Sequence, residues 1–119
     1  MNRMVEDFIN ENTDTTIAVT KGKRFNNCEY RKGTPVYSGC VAYFPNALKA
    51  VARASKAGND QHHPDKPLHW DKSKSKDDYD ALMRHLIDHE ENPMDDDNVL
   101  HLTKVAWRAL AGLERYLTK

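Results

Sequence analysis

Hydrophobic positions recur at helical spacing in three separate stretches of the chain. Apolar residues three and four positions apart predict helices over residues 45–57, 76–91 and 99–118. Pro45 suits the first turn of the first helix, and Gly58 is expected to end it. Because no stretch alternates as a strand does, the pattern predicts an all-α fold, an antiparallel helical bundle of about three main helices.

The regions around these helices contain cap residues and an irregular N-terminus. Ser75 and Asn98 are expected to cap the second and third helices, since their side chains accept hydrogen bonds from first-turn N–H groups. Residues 1–33 show no sustained periodicity, and we interpret them as a partly irregular arm before a helical domain over residues 34–119. Three short amphipathic helices bury little apolar area by themselves, so we expect a homo-oligomer, a dimer or larger.

Composition narrows the location of the protein. The chain has 119 residues, of which 39% are apolar and 30% charged, and a formal net charge of zero. Its longest unbroken apolar run is Cys40–Phe44, whereas a membrane helix needs about 20 apolar residues. The first 12 residues contain no apolar segment of the signal-peptide type. We therefore expect a cytoplasmic protein without a membrane partner, with both cysteines reduced and Cys40 buried.

Acidic residues are concentrated in one segment. Nine acidic residues and one basic residue, Arg84, lie between Asp77 and Asp97. The negative charges in such a segment repel one another unless they are solvated, neutralised by basic side chains or bound to cations. Asp88 and Glu91 share a helix face, and with Asp97 they are the candidate ligands for Mg²⁺ or Mn²⁺. The alternative is a solvated acidic surface with no ion.

Histidines flank the same segment. His85 lies on the second predicted helix, and His101 opens the third. An imidazole has a near-neutral pKa that suits proton transfer, so both are candidate catalytic residues. His85, Asp88 and His89 could instead ligate a transition metal, and any single histidine could be a satisfied or exposed side chain.

The long loop between the first two helices contains groups suited to a nucleobase. It follows Gly58 and brings together Asn59, His62 and Trp70. An aromatic face beside amides and bases fits a base with attached phosphates. The alternative for Trp70 is a place in the core of the bundle.

Basic side chains are the candidates for phosphate contacts. Lys104 and Arg108 share one face of the third predicted helix, and Arg84 lies on the second. Their alternative role is to neutralise the acidic residues of the second helix. We expect no duplex nucleic acid partner, because the basic residues form no continuous stripe and the chain is neutral. The sequence also contains no P-loop and no dinucleotide-binding glycine motif.

Three segments over about residues 34–114, two-thirds of the chain, carry a family resemblance. They are FPNALKAVARASKAGNDQH, LHW and ALMRHLIDHEENPMDDDNVLHLTKVAWRALAGLE. In this order they resemble the dATP/dGTP diphosphohydrolase domain of phages and bacteria. It implies a protein of phage nucleotide metabolism that acts in the cytoplasm of an infected bacterium. It also suggests kinship with MazG-type all-α pyrophosphohydrolases, which hold Mg²⁺ with paired carboxylates on two helices. This chain departs from that pattern, because its first helix has Asn46, Lys49 and Arg53 in place of carboxylates.

Two functions fit these observations. The first is a divalent-metal-dependent (deoxy)nucleoside triphosphate pyrophosphohydrolase acting on dATP- or dGTP-like substrates. The second is a non-catalytic phage protein that sequesters a nucleotide or a cyclic-nucleotide immune signal, which would make it an anti-defence protein. The second needs the aromatic and basic groups but not the carboxylates.

Overall fold

The protein is all-helical over the part that its computed structural model describes, residues 28–74 and 76–119. No strand occurs in those residues, and four α-helices follow one another along the chain. This confirms the predicted all-α class, whereas the antiparallel bundle arrangement remains a prediction. The four helices are α1 (Cys28–Lys32), α2 (Pro45–His62), α3 (Asp78–Glu91) and α4 (His101–Leu117), with a π-helical turn at Tyr37–Val41 before α2.

Helix α2 is longer than predicted. It begins at Pro45 as expected but continues through Gly58 to His62. A glycine inside a helix costs only about 1 kcal/mol relative to alanine, and local interactions offset that cost. Lys56 forms an ion pair of 2.7 Å with Asp60 one turn later, bridging the glycine position. The prediction that Gly58 ends this helix is therefore wrong.

The connection between α3 and α4 is a tight turn. The backbone N–H of Asp95 donates to Val99 O, and that of His101 donates to Pro93 O, each at 3.0 Å. Asn98 lies within this turn with φ of 64°, a conformation that asparagine tolerates better than most residues. It does not cap α4, whose N-cap residue is Leu100. The capping prediction for Asn98 is wrong, and Ser75 lies outside the described residues.

Helices α3 and α4 run in opposite directions. His85 in the middle of α3 meets His101 at the start of α4, while Asp78 at the start of α3 meets Arg115 near the end of α4. Gly112 of α4 lies against the ring of Tyr79 of α3, since a Cβ there would be 2.9 Å from Cε1 of that ring. The pair therefore forms one layer, and α2 packs against α4 on another side.

The apolar core is small. In the described residues only Ala81 and Ala111 are buried hydrophobic side chains, at 1% and 3% exposure. Large apolar side chains remain exposed on both helices of the layer, for example Ile87 and Leu113. The interior is held largely by polar contacts, and the expected oligomer remains a prediction.

Cys40 is exposed, so the prediction that it is buried is wrong. It lies in the π-helical turn, where the neighbouring Val36 and Tyr37 are also largely exposed. Cys28 and Cys40 are both free thiols. None of the described helices combines the length and hydropathy needed to cross a bilayer.

The proposed division of the chain at residue 33 remains a prediction. Most of the predicted arm, residues 1–27, lies outside the described residues.

Candidate functional site

A broad cleft of about 1130 Å³ lies between the end of α2, the loop after it and the face of α4. The loop folds back because the buried Asn59 donates its amide N–H to Lys66 O at 3.0 Å. Seven residues that the sequence singles out line this cleft. They are Asn59, His62, Trp70, His85, Asp97, Lys104 and Arg108.

Two tryptophans form an aromatic wall of the cleft. Trp70 meets Trp107 edge to face, with ring centroids 5.5 Å apart and planes at 78°. Trp107 is fixed by its indole N–H, which donates to Ser55 Oγ at 2.7 Å. Trp70 remains partly exposed, so it both packs against the bundle and presents ring surface to the cleft.

The side-chain amide of Asn59 contributes an unpaired hydrogen-bond acceptor to the cleft. Its amide nitrogen is occupied by the loop, but its Oδ1 is buried without a hydrogen-bond partner. Leaving a buried acceptor unpaired costs about 1–3 kcal/mol, so a donor on a ligand would be stabilised there.

Two guanidinium groups on α4 share one buried carboxylate. Arg108 Nη1 donates to Asp78 Oδ1 at 3.0 Å, and Arg115 Nη1 donates to Asp78 Oδ2. Asp78 is 4% exposed, and Arg115 also lies over the ring of Trp70 at 5.4 Å. Arg108 Nη1 also lies 3.8 Å from Oδ1 of the half-exposed Asp77. The cleft itself is lined by more basic than acidic side chains, which favours an anionic ligand: Lys74, Lys104, Arg108 and Arg115 against Asp71 and Asp97.

Lys104 joins two carboxylates of the α3–α4 turn. Its Nζ lies 2.6 Å from Asp95 Oδ2 and 2.7 Å from Asp97 Oδ2. The hydrogen bond from Lys104 lowers the pKa of Asp95, and the backbone N–H of Asp96 lowers it further. Burial acts to raise the pKa of Asp97, but hydrogen bonds from Lys104 and the Val99 N–H outweigh it and lower the pKa. Lys104 therefore neutralises acids of the α3–α4 turn and not of the second helix. The alternative role that the sequence allowed is found for Arg108, which pairs with Asp78 of α3.

His85, Asp95 and His101 form a compact polar cluster at one end of the cleft. The Nδ1 atoms of the two histidines are 3.0 Å apart, and Asp95 Oδ2 lies 4.0 Å from His85 Nδ1 and 3.8 Å from His101 Nδ1. His101 is 6% exposed, and His85 reaches the cleft. We call these three residues the His–Asp–His cluster.

The electrostatics of the cluster keep His85 uncharged. Burial lowers the pKa of His85, and the charges of Lys104 and His101 lower it further against a smaller opposing effect of Asp95. Its ordinary pKa is about 6.5, so the imidazole is neutral at pH 7. A neutral imidazole nitrogen can accept a hydrogen bond or bind a metal.

The other predicted site residues lie elsewhere. Asp88 and Glu91 are exposed near the end of α3, and among the described residues they form no ligand group with Asp97. Arg84 is exposed and lies 3.9 Å from Asp77 instead of lining the cleft. Their predicted roles in metal and substrate binding remain predictions.

Three site residues were not singled out from the sequence, namely Asp78, Asp95 and Arg115. Arg115 follows Arg108 by seven residues, and that helical spacing was a usable signal. Asp78 is one of the nine acids between Asp77 and Asp97, and the local pattern does not distinguish it as the buried one. Asp95 is one of three consecutive aspartates, and no pattern distinguishes which of them turns towards the histidines.

Comparison with known proteins identifies a family. The family model for the N-terminal domain of dATP/dGTP diphosphohydrolase matches residues 28–119. The chain belongs to this family. The match covers every helix and every residue of the cleft described above. Searches of the curated proteins and of the solved structures gave no match.

Proposed function

We propose that this member of the dATP/dGTP diphosphohydrolase family hydrolyses a purine deoxynucleoside triphosphate to its monophosphate and pyrophosphate. The observation that carries the proposal is the cleft that joins an aromatic wall, a cationic pair and a neutral histidine within the family-matched residues. Nucleoside triphosphates offer the complementary groups, a flat base at one end and several negative charges at the other.

The base lies against Trp70 in this proposal. Stacking on an aromatic ring contributes about 1–3 kcal/mol per base, and an exocyclic amino group of a purine could donate to the unpaired Asn59 Oδ1. His62 lines the same wall of the cleft. Adenine and guanine both carry such an amino group, which fits the family description.

The phosphates lie against the cationic side of the cleft. Arg108 shares its carboxylate partner with Arg115, so it can bind a phosphate oxygen without leaving Asp78 uncompensated. Lys104 stands next to the His–Asp–His cluster and can contact the same phosphates. These contacts neutralise charge that develops as the bond between the α-phosphorus and the bridging oxygen breaks.

Water attacks the α-phosphorus from the side of the histidines. His85 Nδ1 is directed at His101, so Nε2 is the ring nitrogen that remains to hold the attacking water. His101 is buried behind it and fixes the orientation of the His85 ring. The proton released by the water leaves through the open cleft to solvent.

A divalent ion, Mg²⁺ or Mn²⁺, completes the proposed site. It would supply charge neutralisation on the phosphates and a lower pKa for the attacking water. Asp88, Glu91 and Asp97 were the ligands expected from the sequence, but the first two are exposed and Asp97 is paired with Lys104. The proposal also includes a phage origin, action in the host cytoplasm and homo-oligomerisation. The family resemblance supports the first two, and the exposed apolar faces support the third.

The experiment is an incubation of purified protein with each deoxynucleoside triphosphate and Mg²⁺ or Mn²⁺, followed by anion-exchange chromatography. The proposal expects monophosphate and pyrophosphate in equal amounts, with purine substrates preferred. Arg108→Ala should lower kcat/KM, while Arg53→Ala, an exposed arginine of α2 outside the cleft, serves as the matched control. Recovery of bound but intact nucleotide would instead identify a sequestering protein.

A further inference from the structure

The three facing atoms of the His–Asp–His cluster define a point suited to a metal ion. His85 Nδ1, His101 Nδ1 and Asp95 Oδ2 form a triangle with sides of 3.0, 3.8 and 4.0 Å. The point equidistant from the corners of such a triangle lies about 2.1 Å from each, and metal–nitrogen and metal–carboxylate bonds are about 2.0–2.2 Å long. All three distances therefore match a single central ion.

Hydrogen bonds among the three residues do not account for all of the distances in the cluster. One proton can lie between the two imidazole nitrogens at 3.0 Å, but Asp95 Oδ2 is 3.8 and 4.0 Å from them, too far for a direct hydrogen bond. The buried His101 thus directs a ring nitrogen into a small space bounded by a second imidazole and a carboxylate. A cation in that space would contact all three groups.

The chemistry of the ligands selects the kind of ion. Mg²⁺ prefers oxygen ligands in a regular octahedron, whereas imidazole nitrogens favour transition metals. Two histidines and one carboxylate occupy three coordination positions of the ion and leave the others open. Because His85 lines the cleft, the open positions would face the cleft. The ligand set therefore fits Mn²⁺ or Zn²⁺ better than Mg²⁺.

We infer that His85 Nδ1, His101 Nδ1 and Asp95 Oδ2 form a three-ligand site for a divalent transition-metal ion. Among the described residues, Lys104 and Asp97 are the nearest other charged groups, and the charge of Arg84 also acts on His85. Lys104 shares Asp95 Oδ2, but it also bonds Asp97, so it can move towards Asp97 and keep a carboxylate partner when the ion binds. A contact between the ion and a substrate phosphate rests on the proposed function. Binding of the ion to the free protein is independent of that function.

The test is metal binding by the full chain after chelator treatment and dialysis. Isothermal titration with MnCl₂, ZnCl₂ and MgCl₂ should give one transition-metal ion per chain and much weaker Mg²⁺ binding. Manganese electron paramagnetic resonance should show loss of the free-ion signal. His85→Ala and Asp95→Asn should each weaken binding by at least about tenfold, with circular dichroism to verify the fold.

Control variants separate this site from the acidic surface. Asp80→Asn and Glu90→Gln each remove an exposed acid of α3 that belongs neither to the cluster nor to the ligands expected from the sequence. Both should retain metal binding. The inference is overturned if the ion binds the Asp95→Asn and His85→Ala variants as tightly as the original protein, or if no transition metal binds at all. Hydrolysis with Mg²⁺ in the absence of transition-metal binding would overturn this inference alone, and metal binding without hydrolysis would overturn only the proposed function.

Discussion

Trp107 on α4 donates its indole N–H to the hydroxyl of Ser55 on α2, with 2.7 Å between Nε1 and Oγ. This bond joins two helices whose buried apolar area is small. Ser55→Ala should lower the free energy of unfolding by about 1 kcal/mol, because a partly buried donor loses its acceptor. Urea unfolding followed by circular dichroism measures the change. Ser38→Ala, at an exposed serine of the π-helical turn, is the control and should unfold as the original protein does.

Asp78 should be far more important for stability than its neighbour Asp80. Both lie in the first turn of α3, so both interact with the helix dipole, but only Asp78 is buried and paired with Arg108 and Arg115. Asp78→Ala should cost about 3 kcal/mol, because it removes the buried anion shared by two largely buried guanidinium groups and leaves Arg108 only the half-exposed Asp77, 3.8 Å away. Asp80→Ala should cost a few tenths of a kcal/mol. Equal losses in the two variants, measured by denaturant unfolding, would contradict this account.

Gly58 of α2 and Gly112 of α4 should respond differently to alanine. A Cβ at Gly58 meets nothing within 4 Å, whereas a Cβ at Gly112 would lie 2.9 Å from the Tyr79 ring. Gly58→Ala should therefore stabilise the protein by about 0.5–1 kcal/mol, a rise in Tm of roughly 2–6 °C. Gly112→Ala should show no such gain, because the Tyr79 ring must move. Differential scanning calorimetry compares the two, and a matching rise in both would refute the close packing of Tyr79.

Stability should fall in acid through the Lys104 ion pairs. The pKa values of Asp95 and Asp97 are lowered in the folded protein, mainly through hydrogen bonds from Lys104. Their contribution is complete above the ordinary aspartate pKa of about 3.9 and is lost as the pH falls through the lowered values. Urea midpoints at pH 7 and at pH 3 should therefore differ less in Lys104→Met than in the original protein. An identical pH dependence would show that these pairs contribute nothing.

Nucleotide should quench the fluorescence of Trp70. The chain has two tryptophans, and both line the cleft. Removing a stacking ring costs about 1–3 kcal/mol, so Trp70→Ala should raise the Kd of dGTP by roughly 5- to 150-fold. Titration of dGTP without added metal measures binding apart from hydrolysis. Tyr43→Ala, at an exposed ring outside the cleft, is the control.

The sequence predicts the helices well because their signals are local. The three main helices follow the 3.6-residue apolar period, and Pro45 begins α2 as expected. Their ends depend on contacts that a local pattern does not contain. Gly58 stays helical because the Lys56–Asp60 pair and the bond from Asn59 to the loop stabilise the next turn. Asn98 belongs to a turn that is held by backbone hydrogen bonds instead of capping a helix.

The sequence predicts which types of residue line the candidate site, but it predicts less well which side chains pair with one another. Trp70, His85 and Arg108 do reach one cleft. The acidic segment, however, divides into carboxylates with different partners: Asp78 binds arginines, and Asp95 and Asp97 bind Lys104. Net charge along the chain cannot show this division, because it depends on how α3 and α4 face each other.

The His–Asp–His cluster is contained in one contiguous segment from His85 to His101. Its geometry is therefore set by the length of the α3–α4 connector and not by the distant α2. One residue inserted in α3 between His85 and Glu91 would turn His85 by about 100° around the helix axis relative to the connector, while an insertion in the α2–α3 loop would leave the three groups together. A graft of the cluster into another helical hairpin would therefore have to extend past His101 to Lys104, which holds Asp95.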